Sequence, residues 1–201
     1  MDFQRIRQIF QNRRVTMQAP RSEFAVLVPL VERPDGLHLL YEVRSSALQH
    51  QPGEVCFPGG HIEGSETPLE CALRETQEEL GVDASQIDLV GPLDFILRGT
   101  GIVYPFLARL RVGDPSRISY STGEVASLFT VPLDWLRQHP PEIYRHVYRP
   151  HPTDFPYADV GVPDDYPWAK LVLEVPIYHG LPHPLWGMTA RITQHLIEEI
   201  G

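Results

Sequence analysis

The sequence predicts an α/β fold in which a mixed β-sheet lies between helices, an α/β/α sandwich. Three observations predict it. Apolar runs of strand length recur between residues 23 and 131, separated by turn residues. Helical periodicity appears only at separated points, over 68–80 and 188–200. The chain's 201 residues, 42% apolar and 21% charged, suffice for one soluble domain with a substantial core. The expectation is a single domain over 1–201, with a helical extension at 1–20 and a proline-rich loop insert at 149–167.

The elements follow in chain order. Asp2 to Arg13 carries Phe3, Ile6, Ile9 and Phe10 at helical spacing and reads as a short amphipathic helix that packs on the domain or at a homodimer contact. Glu23 to Glu32 is a buried strand. Arg33-Pro34-Asp35-Gly36 is turn chemistry, so Leu37 to Arg44 returns as its hairpin partner. After a loop at Gln51-Pro52-Gly53, Val55 to Phe57 forms a short strand that Pro58-Gly59-Gly60 breaks. Ile87 to Leu97 and Ile102 to Val112 are strands around the turn Arg98-Gly99-Thr100-Gly101. Leu128 to Val131 is a strand, and Pro132 opens a helix through Gln138. Residues 132–186 hold eleven of the twenty prolines and yield only short strands at Ile143 to Tyr148 and Leu171 to Val175, with a loop from Arg149 to Pro167 between them. A helix from Met188 to Ile200 closes the chain, with Ile192, Leu196 and Ile200 on its apolar face.

The segment 60–82 carries the most chemistry. Thr67 can cap a helix, Pro68 suits its first position and Glu70 completes a capping box, while Gly81 is the expected left-handed stop. The helix therefore runs from Pro68 to Leu80 and buries Leu69, Ala72, Leu73, Thr76 and Leu80. Glu75, Glu78 and Glu79 fall at i, i+3 and i+4 and put three carboxylates on one helix face. Like charges at this spacing repel, and the C-terminal half of a helix disfavours anions. A solvated acidic face would accept those costs for nothing; a bound cation offsets them. Clustered hard oxygen ligands suit Mg²⁺ or Mn²⁺. Arg74, with Glu70 and Glu78 four residues away on either side, can orient a carboxylate, and the bare carbonyl of Gly60 can approach the metal.

Composition excludes some functions. A net charge of −9 leaves no basic footprint for nucleic acid or an anionic membrane, although a metal can still draw an anionic small molecule to the site. No signal peptide or membrane span is read in the sequence, and Cys56 and Cys71 read as reduced packing thiols, so the expected compartment is cytoplasmic. The nine histidines show no ligand pair, and His139, His146, His151, His179 and His183 are expected at the surface.

Gly60, Glu66, Arg74, Glu75, Glu78, Glu79, Gly81 and Val82 match eight of the nine specified positions of the pattern G-x5-E-x7-R-E-U-x-E-E-x-G-U, where U is aliphatic. Thr76 is the departure; its methyl can pack and its hydroxyl can bond a carbonyl one turn back. This stretch resembles the box of the Nudix hydrolases. The resemblance implies a Nudix-type α/β/α sandwich and metal-dependent hydrolysis of a nucleoside diphosphate linked to another moiety. The flanks resemble those of the coenzyme A pyrophosphatase subgroup. Its L-L-T-x-R-S, R, G and F-P-G-G positions fall on Leu40 to Ser45, Gln49, Gly53 and Phe57 to Gly60, with no gap from Arg44 to Gly60, Tyr41 and Glu42 replacing its Leu and Thr and Gln49 replacing its Arg. The segments Glu124-Val125-Ala126, Phe129 to Leu133 and Trp186 to Arg191 resemble further stretches of that subgroup. The likeness runs from about Glu23 to Ile200.

The resemblance implies cleavage of coenzyme A or its thioesters into 3′,5′-ADP and (acyl-)phosphopantetheine. Glu75, Glu78 and Glu79 would hold the metal, with Glu75 the first choice for the base and Glu124 the second. Glu66 is expected to stabilise the loop–helix junction with Arg74. Arg44, Phe57, His61 and Arg98 are candidate substrate contacts, Arg44 for a phosphate. Trp186 is expected to pack under the last helix. Two rivals stay open: a Nudix pyrophosphatase acting on ADP-ribose or another nucleoside-diphosphate derivative, and a Nudix-fold module that binds a nucleotide without cleaving it.

Overall fold

A computed structural model of the protein describes residues 2–13, 22–99, 101–151 and 154–201, with Arg98 described by its backbone alone. Residues 14–20 of the expected N-terminal extension and Thr100 of the expected turn lie outside the described residues. The chain begins with α1 (Phe3–Phe10), capped by the Asp2 side chain, which accepts a hydrogen bond from the Arg5 amide at 2.9 Å. Its apolar residues Phe3, Ile6, Ile9 and Phe10 are all exposed, so α1 adds nothing to the core.

The main sheet is mixed, as expected. Strand β1 (Ser22–Arg33) turns at residues 34–35 into β2 (Gly36–Arg44), and the two pair antiparallel with Arg33 opposite Gly36. Two short strands follow, β3 (Val55–Cys56) on β2 and β4 (Gly59–His61) on β1. Helix α2 (Pro68–Leu80) comes next, then β5 (Ile87–Pro92), β6 (Ile96–Arg98) and β7 (Gly101–Leu110). Strand β7 runs parallel to β1 over nine residue pairs, from Ser22 opposite Gly101 to Leu30 opposite Arg109. Strands β5 and β6 both pair antiparallel with β7. The single strand expected over 87–97 is therefore split at Leu93 to Phe95, where the ladder is interrupted. Strand β8 (Val125–Pro132) pairs antiparallel with β2 and is longer than expected.

The period of two in β1 and β2 assigns each residue to a layer. Leu27 and Val31 of β1, with Leu40 of β2, pack beneath α2 against Leu80, Val82, Ala108 and Leu110. Val28 of β1, with Leu39, Tyr41 and Val43 of β2, faces the opposite layer. That layer consists of α3 (Leu133–Gln138) and α5 (Gly187–Ile200), which bring Leu136, Ala190, Ile192 and Leu196. Ile200, expected on the apolar face of α5, is 48% exposed at the helix end. Tyr41 is fully buried and stacks between Phe57 at 5.0 Å and Phe129 at 5.3 Å. Its hydroxyl hydrogen-bonds Thr193 at 3.0 Å, and Thr189 donates to the Val55 carbonyl at 2.9 Å, so α5 is fixed to the sheet by polar as well as apolar contacts.

The proline-rich region holds the two strands expected at 143–148 and 171–175, the second running on to Tyr178, and goes beyond expectation in how they pair. Strands β9 (Glu142–Tyr148), β10 (Leu171–Tyr178) and β11 (Leu185–Trp186) form a second, three-stranded antiparallel sheet. The expected loop at 149–167 contains a one-turn helix α4 (Tyr157–Val160), with Pro152 and Thr153 outside the described residues. His146 lies on β9 and not in a loop, though it is exposed. No helix among the described residues is long and apolar enough to cross a membrane.

Helix α2 has the predicted limits because its ends are chemically defined. Thr67 and Glu70 form a reciprocal capping box, with the Thr67 amide donating to Glu70 at 2.7 Å and the Glu70 amide to the Thr67 hydroxyl at 3.3 Å. Gly81 closes the helix at φ 61°. A Cβ there would strike the Ser119 carbonyl oxygen. Thr76 is fully buried and its hydroxyl donates to the Ala72 carbonyl at 2.7 Å, which explains how a threonine replaces an aliphatic residue. We expect Thr67→Ala to lower stability by about 1 kcal/mol in chemical denaturation. Gly81→Ala should cost more, since it adds a backbone clash to a left-handed conformation. An unchanged midpoint for both would mean that the ends of α2 do not define it.

Candidate active site

Helix α2 leans on β1 and β4 with its acidic face towards Gly59 and Gly60 at the start of β4. Glu79 is only 5% exposed, and its Oε2 accepts a hydrogen bond from the Gly59 amide at 2.8 Å. Gly60 passes so close to Glu75 that a Cβ would overlap its carboxylate. Both glycines are thus required by close approach, Gly59 also by a φ of 156° and by the Ala25 carbonyl and Val26 lying behind it. The Gly60 carbonyl, expected to face a metal, accepts a weak bond from Cys71 Sγ at 3.6 Å.

Arg74 organises the acidic face. It donates to Glu66 through Nη2 at 2.9 Å and Nε at 3.2 Å, to Glu75 at 2.8 Å and to Glu78 at 3.2 Å. Of the two glutamates four residues from Arg74, Glu78 is paired with it and Glu70 is not, because the carboxylate of Glu70 is engaged at the helix cap. The Arg74–Glu66 pair fixes the loop–helix junction, as the spacing suggested. Arg74 and the Glu63 amide pull the Glu66 carboxyl down to about 2.

The carboxylates nearer the sheet behave oppositely. Burial pushes Glu79 up to about 8 against the Gly59 hydrogen bond, and the charges of Glu75 and Glu124 push the same way. Burial likewise raises Glu75, with Arg74 opposing. Glu124 lies in a turn that leads into β8, not at the start of a helix. Two ties bring it to the site. The Ser121 amide donates to the Glu79 carbonyl at 2.8 Å, and the Ser45 amide donates to the Glu124 carbonyl at 2.7 Å. Segments far apart in sequence therefore converge on Glu75, Glu79 and Glu124.

Beside this acidic group lies a cleft of ≈ 630 Å³, lined by Arg44, Gln49, Phe57, Gly59, Gly60, Trp186 and Met188 among others. That size suits a small-molecule ligand. Arg44 ends β2, donates through Nε to the His50 carbonyl at 3.3 Å and faces the cleft. Phe57 is 3% exposed, a core residue stacked on Tyr41 that reaches the cleft by one edge. His61 is exposed on β4, edge-on to Phe24 at 5.2 Å, and Phe24 lines the cleft. The side chain of Arg98 lies outside the described residues. Trp186, expected to pack under α5, is instead 44% exposed on the cleft wall, because β11 places it opposite Ile177 at the sheet end.

Sequence reasoning gave no role to Glu42. It is 1% exposed, its Oε1 has no hydrogen-bond partner among the described residues, and burial and then the Glu79 charge raise its pKa well above the usual carboxylate range. The available signal was a carboxylate inside the otherwise apolar run Leu39-Leu40-Tyr41-Glu42-Val43.

A divalent cation fits these residues. Glu42, Glu75 and Glu79 are buried or half-buried carboxyls whose ionised forms the neighbouring cations Arg44 and Arg74 stabilise only in part, so that each holds its proton more tightly than usual and a divalent cation could take the proton's place. The donors are hard oxygens, as Mg²⁺ or Mn²⁺ requires. Among the described residues no three acidic, histidine or cysteine side chains already converge as a coordination sphere. Glu75 and Glu78 are drawn to Arg74 and Glu79 to the Gly59 amide, and these contacts would rearrange on binding.

Comparison with known proteins agrees with this geometry. A family model described as the NUDIX domain matches residues 21–150. The chain is similar to the peroxisomal coenzyme A diphosphatase NUDT7 of Mus musculus, 36% identical over 136 residues, which cover 67% of this chain and 56% of that protein. It is 30% identical over 197 residues to the mitochondrial coenzyme A diphosphatase NUDT8 of Homo sapiens, covering 96% of this chain and 76% of that protein. Nudix hydrolase 3 of Caenorhabditis elegans is 36% identical over 120 residues, and the chain spans 49% of its length. Among solved structures, a MutT/nudix family protein from Enterococcus faecalis shares the fold, with a TM-score of 0.50 at 14% identity over 100% of this chain and 70% of that one. A capped helix with its glutamates turned to a Gly-Gly strand, on a mixed sheet between helices, is matched by a family model over most of the chain: the protein belongs to the Nudix family.

Proposed function

We propose that the protein is a Mg²⁺- or Mn²⁺-dependent pyrophosphohydrolase that cleaves coenzyme A or its thioesters into 3′,5′-ADP and (acyl-)phosphopantetheine. The observation that carries this reading is the placement of Glu75 and Glu79 against Gly59-Gly60 at the edge of a cleft bearing Arg44. The gapless flanking match from Arg44 to Gly60 and the two relatives named coenzyme A diphosphatases support the substrate.

Glu75, Glu78 and Glu79 would hold the cation. When bound, it supplies positive charge and Lewis-acid polarisation to the diphosphate. The remaining work falls to the protein. Arg44 binds a phosphate oxygen and fixes the diphosphate in the cleft. Glu75, oriented by Arg74, takes the proton of the attacking water; Glu124 is the alternative base on the opposite loop. Raised carboxylate affinity for protons suits that role. The proposed compartment is the cytoplasm, supported by the free thiols of Cys56 and Cys71. Accumulation of the tagged protein in a membrane-bound organelle would overturn that location.

One observation favours a second reading. The cleft carries Gln49 where the flanking motif has an arginine, so one charge that would meet a polyanionic substrate is missing. ADP-ribose, which lacks the 3′-phosphate, is the corresponding rival. Product analysis decides: with Mg²⁺ or Mn²⁺, we expect chelator-sensitive release of 3′,5′-ADP from coenzyme A and acetyl-coenzyme A. Preferential cleavage of ADP-ribose would select the rival, and turnover of neither would favour a nucleotide-binding module.

Glu79→Gln should abolish most turnover with the fold intact; activity within about tenfold of the parent, ~1.4 kcal/mol of barrier, would exclude Glu79 as a metal ligand. If Glu75 is the base, Glu75→Gln should lose about 10²- to 10⁴-fold in kcat and Glu124→Gln much less. The reverse order would transfer the role to Glu124.

Stability of the metal-free protein should also depend on pH. Glu79 holds its proton up to about 8 in the folded state and only to about 4.5 when unfolded. Between those values the folded state binds the extra proton, so stability falls as pH rises through this window and levels off above it. Thermal denaturation in chelator should show that decline, and Glu79→Gln should flatten it. An equally steep decline in the variant would place its origin elsewhere.

A further inference from the structure

We propose that Glu42 is an additional ligand of the divalent cation, reaching it from the sheet side behind Glu79; the inference rests on the metal centre assigned to Glu75, Glu78 and Glu79.

Direction comes from the pleat of β2. Successive residues alternate faces, so Glu42 shares a face with Leu40. Leu40 packs with Leu80 beneath α2, and Leu80 follows Glu79. Glu42 therefore points to the layer that holds the acidic helix, whereas Tyr41 and Val43 point to the layer of α5. Its cross-strand partner on β3 is Cys56, whose Sγ lies 3.8 Å from Glu42 Oε2. Cys56 lines the cleft, and Gly59, three residues on, donates to Glu79. One short segment thus joins both carboxylates to the cleft floor.

The second observation is independent of the acidic helix. Glu42 is 1% exposed, and its Oε1 has no hydrogen-bond partner among the described residues. A thiol is a weak donor and compensates little for a buried carboxylate. Such a group needs a proton or a cation. A divalent cation shared with Glu79 satisfies both carboxylates, and a hard oxygen is the ligand Mg²⁺ and Mn²⁺ prefer.

The test is Mn²⁺ binding by electron paramagnetic resonance to the full-length, metal-stripped protein, its Glu42→Gln and Glu42→Thr variants, and Glu79→Gln as a reference. Circular dichroism checks the fold of each. We expect both Glu42 variants to bind Mn²⁺ about 10- to 100-fold more weakly than the parent, the range that loss of a metal-supporting residue produces. Affinity within twofold of the parent in folded Glu42 variants, with Glu79→Gln weakened, would overturn the role of Glu42 alone. No Mn²⁺ binding by the parent would overturn the metal centre as well. Should the variants not fold, a crystal of the parent soaked in Mn²⁺ answers the same question. An anomalous peak in direct contact with a Glu42 oxygen supports the assignment, and one contacted only by the helix glutamates, with water or a proton at Glu42, overturns it.

Discussion

The guanidinium of Arg74 is the interaction on which the site depends. One planar cation holds Glu66 from the preceding loop and Glu75 and Glu78 from its own helix, all within 3.2 Å. Without it, α2 would carry adjacent like charges towards an end where the macrodipole already opposes them. With it, the loop from Ile62 to Glu66 is drawn onto the helix and Gly59 and Gly60 of β4 are set against Glu75 and Glu79. The fork geometry matters as much as the charge, since a lysine could not span three carboxylates with fixed directions.

Buried carboxylates are the opposite pole of the same design. Arg74 stabilises the charged form of Glu66, while burial favours the neutral form of Glu42 and Glu79. Across one side of α2 the affinity for protons therefore rises from loop to sheet. Such a gradient is expensive for stability in a protein that leaves it unfilled, and it is the arrangement a hard cation would complete.

What the sequence made legible was whatever local chemistry dictates. The limits of α2, the left-handed Gly81, the backbonded Thr76 and the β1–β2 hairpin all follow from residues within one or two turns of one another. The Glu66–Arg74 contact was readable because both partners belong to one short pattern, yet the Arg74–Glu70 alternative was equally good by spacing and failed because the cap took the carboxylate of Glu70 first. The strands at 143–148 and 171–175 were legible, but their pairing with β11 into a second sheet was not: β9 is exposed along its whole length and β10 turns fully inward only at Pro176 and Tyr178, so no buried face dictates their partners. Trp186 was misplaced for a related reason, since its position follows from pairing with Ile177 and not from the helix after it. Glu42 was passed over because a charge in a strand normally reads as a solvent-facing residue, and only the layer beneath α2 shows where it points.

The hydrogen bond from Ser121 to the carbonyl of Glu79 has a consequence for how the site keeps its shape. It closes the excursion through β5, β6 and β7 at both ends, one at the foot of α2 and the other just before Glu124. The two segments that border the excursion are registered to each other directly, so the spacing between the helix glutamates and the loop glutamate across from them does not rest only on the strands that run between them.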